Sequence, residues 1–282
     1  MKQYINKNFP FERDLYGCDD IELISCSFSG KEDGESALKE CNNIILNNCY
    51  MDLRYPLWHD NKVILNNVHM TENCRAALWY SNKLNITDSK LHGIKALREC
   101  NDIVINNCDI ISPEFGWKSC NVELNNSTLT SEYAFFLASK LKLNNVTFSG
   151  KYSFQYVKDM EIENCNLNTK DAFWHAENVV VKNSIVKGEY LGWYSKNLTL
   201  INCHIDGTQP LCYCENLKLI DCTTSNCDLA FETSDVEATI NGSILSIKNP
   251  KSGTIIVDEV ISNVEEYTKY PVKGKVIVRK KY

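Results

Sequence analysis

The chain has 282 residues, 44% of them hydrophobic and 23% charged, with a formal net charge of −6. That length is ample for a buried core in one large domain or two small ones, and the hydrophobic fraction excludes a disordered chain. An acidic balance excludes a general nucleic-acid binder, which needs a basic face, and the apolar runs are too short to span a membrane.

The opening stretch MKQYINKNFPFERD carries no apolar h-region and no small-residue cleavage site. A cytoplasmic location is therefore expected. Residues 1–20 precede the first repeat and are expected to cap one end of the fold, because a solenoid must cover its exposed core and its free strand edge.

From Ile21 onward the chain repeats itself. IELISCSF, IILNNCYM, VILNNVHM, IVINNCDI and LTLINCHI are one motif, whose first residues include Ile21, Ile44, Val63, Leu84, Ile103 and Val122. The spacings run 23, 19, 21 and then 19 throughout, with the extra residues of the first unit in the loop GKEDGES. A fixed short period with no composition break means a solenoid in one domain, with coils over 21–253. Positions 1 and 3 of each unit are aliphatic and alternate with polar residues, as in a half-buried strand. A second strand-like stretch is expected at positions 12 to 17, in RYPLWHD, RAALWYS, DAFWHA and YLGWYS. About twelve such units make a single-stranded parallel β-helix, an all-β fold. The rival is a leucine-rich repeat, whose motif matches positions 1, 3, 6 and 8. It lacks the leucine three residues before position 1, replaced here by Cys41, Asp60, Ser81, Cys100 and Ser119, and its returning helix has no room in this period.

Two columns are structural. Position 5 carries Asn48, Asn67, Asn107, Asn126 and their successors, an amide ladder expected at a tight turn. Position 6 carries Cys26, Cys49, Cys108, Cys165, Cys203 and Cys222 among the fourteen cysteines. Small and apolar, these are expected to be buried free thiols. No C-x-x-C pairs suggest zinc, so neither a metal nor a cofactor is expected.

The unusual columns lie at positions 11 to 16. All five tryptophans, Trp58, Trp79, Trp117, Trp174 and Trp193, occupy position 15, which Lys39, Arg98 and Gln155 share. Position 16 carries His59, Tyr80, Glu99, Lys118 and His175, and positions 11 and 12 add Arg54, Arg75, Lys95 and Glu114. Inward packing of the tryptophans would bury Lys39 and Arg98 without partners. Facing outward, the columns form a groove in which aromatic rings meet sugars and arginines fork to carboxylate or sulfate groups. An oligosaccharide or anionic small molecule is the ligand expected there. If the groove is catalytic, Glu99 or His59 is its acid or base. The other reading is a noncatalytic solenoid docking a protein partner, since Trp, Tyr and Arg dominate interface hot spots. The charges also fit cross-coil ion pairs that only order the face.

Beyond residue 236 the period fails, and residues 254–282, with TIIVDEVI and VKGKVIVRK, are expected to close the other end with capping strands.

The period, asparagine ladder and aliphatic columns together resemble the right-handed parallel β-helix superfamily typified by pectate lyases. The strings LRYPLWHD, CRAALWYS, TKDAFWHA and GEYLGWYS look more specifically like an uncharacterised bacterial family of that superfamily. The resemblance implies a right-handed helix, and, for an enzyme, a lyase or hydrolase acting on glycans. The superfamily also includes noncatalytic adhesins, so fold analogy does not choose among these. No calcium-holding aspartate column is present, and His92–Gly93–Ile94–Lys95 matches the Gly-His-Gly turn of the polygalacturonase-like hydrolases only superficially.

Overall fold

The computed structural model describes residues 1–31 and 34–279. Part of the GKEDGES loop and the last residues of the expected C-terminal cap therefore lie outside the described residues. The fold is a right-handed parallel β-helix of about 14 turns with a period near 19 residues. It falls into two compact units, Met1–Lys142 and Leu143–Tyr282.

In the first unit the repeat motif forms the long strand of each coil, as in Asn42–Asn47, Asn61–Asn66 and Asn101–Asn106. Ile21, Ile44, Val63, Leu84, Ile103 and Val122 pair in unbroken parallel register. Positions 1 and 3 point inward and are fully buried, which is the alternation read from sequence. Within residues 1–20, the strand Lys2–Ile5 joins the sheet in the same register, Lys2 paired with Ile21 and Ile5 with Ile24. In the second unit Met160, Val179 and Leu198 continue the pattern. The strands then lengthen to Asp235–Lys248 and Ser252–Val264, and end in Lys275–Val278.

Each coil turns at residues held in the left-handed region. In the third coil these are Asn67 (φ 51°), Ala76 (φ 50°), Tyr80 (φ 60°) and Lys83 (φ 58°). Asparagine tolerates this conformation, which explains position 5. Its ladder forms as expected: Asn67 Nδ2 donates to Asn48 Oδ1 at 2.8 Å, and Asn202 Nδ2 to Asn183 Oδ1 at 2.9 Å.

The stretch at positions 12 to 17 corrects the sequence reading. Among the described residues of the regular coils only Leu78–Trp79 and Leu97–Arg98 form strands there. Tyr55 (φ 54°) and His59 (φ 60°), like Lys95 (φ 58°) and Glu99 (φ 51°), bend the chain twice within four residues. A strand cannot persist through two such corners. The genuine second strand is shorter and earlier, as in Tyr50–Met51, His69–Met70 and Asp109–Ile111. Stacking compensates for the corner conformations: Tyr55 N donates to Arg75 O at 3.0 Å and His59 N to Trp79 O at 3.0 Å.

All fourteen cysteines are free thiols, and the position-6 set is buried. Their thiols serve as small donors to the preceding coil, as Cys49 Sγ does to Leu23 O at 3.5 Å and Cys222 Sγ to Leu200 O at 3.4 Å. Burial pushes Cys49 up to about 11 and Cys100 up to about 12. We expect the folded protein to resist thiol reagents, while denatured, unreduced protein titrates close to fourteen thiols. A count several pairs short would contradict the free-thiol assignment.

Candidate functional site

The tryptophan column lies between the two orientations the sequence allowed. Position 14 points inward, with Leu57, Leu78 and Leu97 fully buried. Position 15 follows it onto the outer bend, where all five tryptophans are half-buried. Each indole N–H spans to the next coil and donates to a carbonyl of a left-handed corner residue. Trp79 reaches Lys95 O at 2.6 Å, Trp117 reaches Tyr133 O at 2.6 Å, and Trp58 bonds to Ala76 O. In the second unit Trp174 reaches Tyr190 O at 2.8 Å and Trp193 reaches Gln209 O at 2.7 Å. Gln155 makes the same contact, to Asp171 O at 3.1 Å. The bond explains why one residue type recurs here: indole combines a large apolar body with a donor at the right reach.

The rings stack along the column. Trp58 and Trp79 lie 5.3 Å apart and almost parallel, at 3°. Lys39 Nζ covers the far face of Trp58 at 6.0 Å, and the Arg98 guanidinium lies 4.9 Å from Trp79 and 5.4 Å from Trp117. Lys39 and Arg98 thus fit into this column by sitting on aromatic faces. Indole faces inside the ladder are taken, which leaves the ring edges to line the surface.

At those edges the first unit has a cavity of about 260 Å³, lined by Tyr55, Trp58, Arg75, Ala76, Trp79, Ile94 and Lys95. Tyr55 tilts at 40° to Trp58, 4.8 Å away, and forms one wall. Arg75 is exposed, and Lys95 pairs with Glu114 at 3.3 Å. Arg54 stands one column over, paired with Glu35 at 3.3 Å and 5.6 Å from the Tyr55 ring.

The two residues nominated for proton transfer are not together. His59, Tyr80 and Glu99 occupy the same corner on successive coils, so His59 and Glu99 are about 10 Å apart with Tyr80 between them. His59 stacks on Tyr80 at 4.9 Å. Glu99 bridges Arg98 at 3.5 Å and Lys118 at 3.9 Å.

The second unit carries its own aromatic band. Trp174 and Trp193 stack at 5.5 Å. Beside them Tyr156, His175, Tyr194 and Tyr213 form a continuous stack with spacings of 4.9, 5.0 and 4.9 Å. Sequence reasoning placed these columns but could not foresee that the rings would occupy one another's faces.

The burial of one charged group was not expected from the sequence. Asp60 follows the Trp58–His59 corner, in a column that also carries Cys41, Ser81, Cys100 and Ser119. It is fully buried. Oδ1 accepts the Cys41 N–H at 2.8 Å, while Oδ2 has no partner. Burial raises its pKa to about 8, against the opposing Cys41 hydrogen bond and with help from the Glu40 charge.

Among solved structures the chain is similar to PfbA, a surface adhesin of Streptococcus pneumoniae, at 10% identity over 89% of this chain and 86% of that one, with a TM-score of 0.49. It is also similar to the mannuronan C-5 epimerase AlgE4 A-module of Azotobacter vinelandii, at 10% identity over 97% and 88% of the two chains, with a TM-score of 0.32. No curated protein matches the sequence. A family model described as "Protein of unknown function (DUF3737)" matches residues 2–276, and the chain belongs to that family.

Proposed function

We propose that the protein binds an acidic oligosaccharide at the cavity between Tyr55, Trp58, Arg75, Trp79 and Lys95, acting in the cytoplasm on small or imported glycans. One observation carries this reading: two indole edges and a tilted tyrosine are flanked by two cations in one concave site. The apolar edges and the Tyr55 ring suit the C–H faces of a sugar, and the guanidinium and ammonium groups suit its carboxylate or sulfate.

The test is a titration of tryptophan emission with short uronate and sulfated oligosaccharides. A saturable change is expected in the native protein. Arg75→Ala should weaken binding by about 1.5–3 kcal/mol, the loss of a charge-assisted hydrogen bond. Neutral oligosaccharides binding equally well would remove the charge argument.

A second reading, docking of a protein partner, is favoured by the second unit's exposed stack, where Tyr156 is 42% and Tyr194 45% accessible. Tyr194→Ala should then abolish capture of that partner and leave oligosaccharide binding intact. Loss of oligosaccharide binding instead would assign the stack to the sugar.

A further inference from the structure

A polar cluster on the short-strand face of the first unit lies away from the cavity. Tyr50, His69, Lys90 and Asp109 share one outward column, in parallel register. The neighbouring column carries Asp52, Thr71 and His92, whose backbones are linked through Thr71 N to Met51 O at 3.0 Å and His92 N to Met70 O at 3.1 Å. His69 and His92 are therefore diagonal neighbours on adjacent coils. Their ring centres are 5.9 Å apart and their planes lie at 75°.

His92 is held by a carboxylate. Its Nε2 lies 2.9 Å from Asp109 Oδ2, and Thr128 Oγ1 donates to Asp109 Oδ1 at 2.9 Å. With Nε2–H given to Asp109, the lone pair of His92 resides on Nδ1. This carboxylate–imidazole pairing is the arrangement that orients metal-ligating histidines and raises their basicity. His69 is exposed and makes edge contacts with Tyr50 and His92. Asp52 is fixed beside it by Thr71 Oγ1 and by Asn73 Nδ2 at 3.1 Å.

Two imidazoles sharing one ion at about 2.0–2.1 Å per nitrogen have ring centres roughly 5–6.5 Å apart. The observed separation falls in that range. We infer that His69 and His92 form a surface site for a divalent late first-row ion, such as Zn²⁺ or Ni²⁺, with Asp109 as the positioning residue of His92. Among the described residues no three His, Cys, Asp or Glu side chains converge as a metal-binding group. The ion thus takes two protein nitrogens and completes its shell with water, a site that imidazole chemistry directs to Zn²⁺, Ni²⁺ or Cu²⁺ over Mg²⁺.

The experiment is calorimetric titration of the intact chain with Zn²⁺ and Ni²⁺, with Mg²⁺ alongside. One ion per chain is expected, with a matching rise in melting temperature by mass action. His69→Ala and His92→Ala should each weaken binding tenfold or more, and Asp109→Asn about tenfold with circular dichroism unchanged. His204→Gln is the control, since His204 lies in the second unit with its ring nitrogens against Thr223 and Ser225 at 2.9 Å. The histidine ring resonances of His69 and His92 should shift together on Zn²⁺ addition, a readout independent of variant folding. Absence of saturable binding, equal binding of Mg²⁺, or binding that survives His92→Ala overturns the assignment.

Discussion

Replacing Asp60 by Asn should stabilise the protein at pH 8.5 by on the order of 3–5 kcal/mol, and by little at pH 4. The sign follows from the proton balance. The unfolded carboxyl titrates near its ordinary value of 3.8, whereas the folded one titrates near 8. Between those values the folded chain holds a proton that the unfolded chain has released, so stability falls as pH rises through the window. Above about 8 both states are ionised, and the fold carries the full cost of a buried anion whose Oδ2 has no partner. Asparagine keeps the acceptor for the Cys41 N–H and cannot ionise. Ser81 and Ser119 already fill this column with neutral groups: Ser81 Oγ accepts from Asp60 N at 3.0 Å and donates to Leu57 O at 2.9 Å. Urea melts of both proteins across pH 4 to 9 measure the difference. Parallel pH profiles, or a less stable Asn variant at pH 8.5, would contradict the account of Asp60.

The second large effect is expected at Trp79. Trp79→Ala removes the parallel partner of Trp58, exposes one face of Arg98, and leaves the Lys95 carbonyl without its indole donor. Deletion of a large aromatic side chain costs about 3–5 kcal/mol when fully buried; for this half-buried ring we expect about 3 kcal/mol, including roughly 0.5–1.5 for ring stacking. Trp79→Gln should recover part of the loss, because Gln155 fills the same column and reaches the equivalent carbonyl. A variant with Trp79→Ala as stable as the native chain would show that the ladder contributes nothing to the fold.

These two residues also mark how much the sequence disclosed. The repeat of Ile21, Ile44 and Val63 was sufficient for the long strands, because aliphatic alternation reports a half-buried strand directly. Asn48 and Asn67 disclosed one corner, since asparagine is a common left-handed residue. Tyr55, Lys95 and Glu99 disclosed none, because their types carry no left-handed preference and stacking holds them there; His59 is of a type enriched in that region but stands in a column of mixed residue types. Positions 12 to 17 therefore read as a strand. The side taken by the tryptophans was illegible for the same reason: with Leu57 and Trp58 both apolar, only the bend decides which faces inward. Asp60 stood out of its Cys/Ser column in the sequence, yet its burial emerges only when coils stack. The contact of His69 with His92 was not legible because it is diagonal between coils and follows no short motif spacing.

The central claim, that the Tyr55–Trp58–Arg75–Trp79–Lys95 cavity takes an acidic sugar, is tested most directly by a crystal structure of the protein with the tightest-binding uronate or sulfated oligosaccharide. The account predicts sugar density against the Trp58 and Trp79 edges with an acidic group on Arg75 or Lys95. Density elsewhere on the coils with this cavity empty, or a sugar whose acidic group points away from both cations, would contradict it.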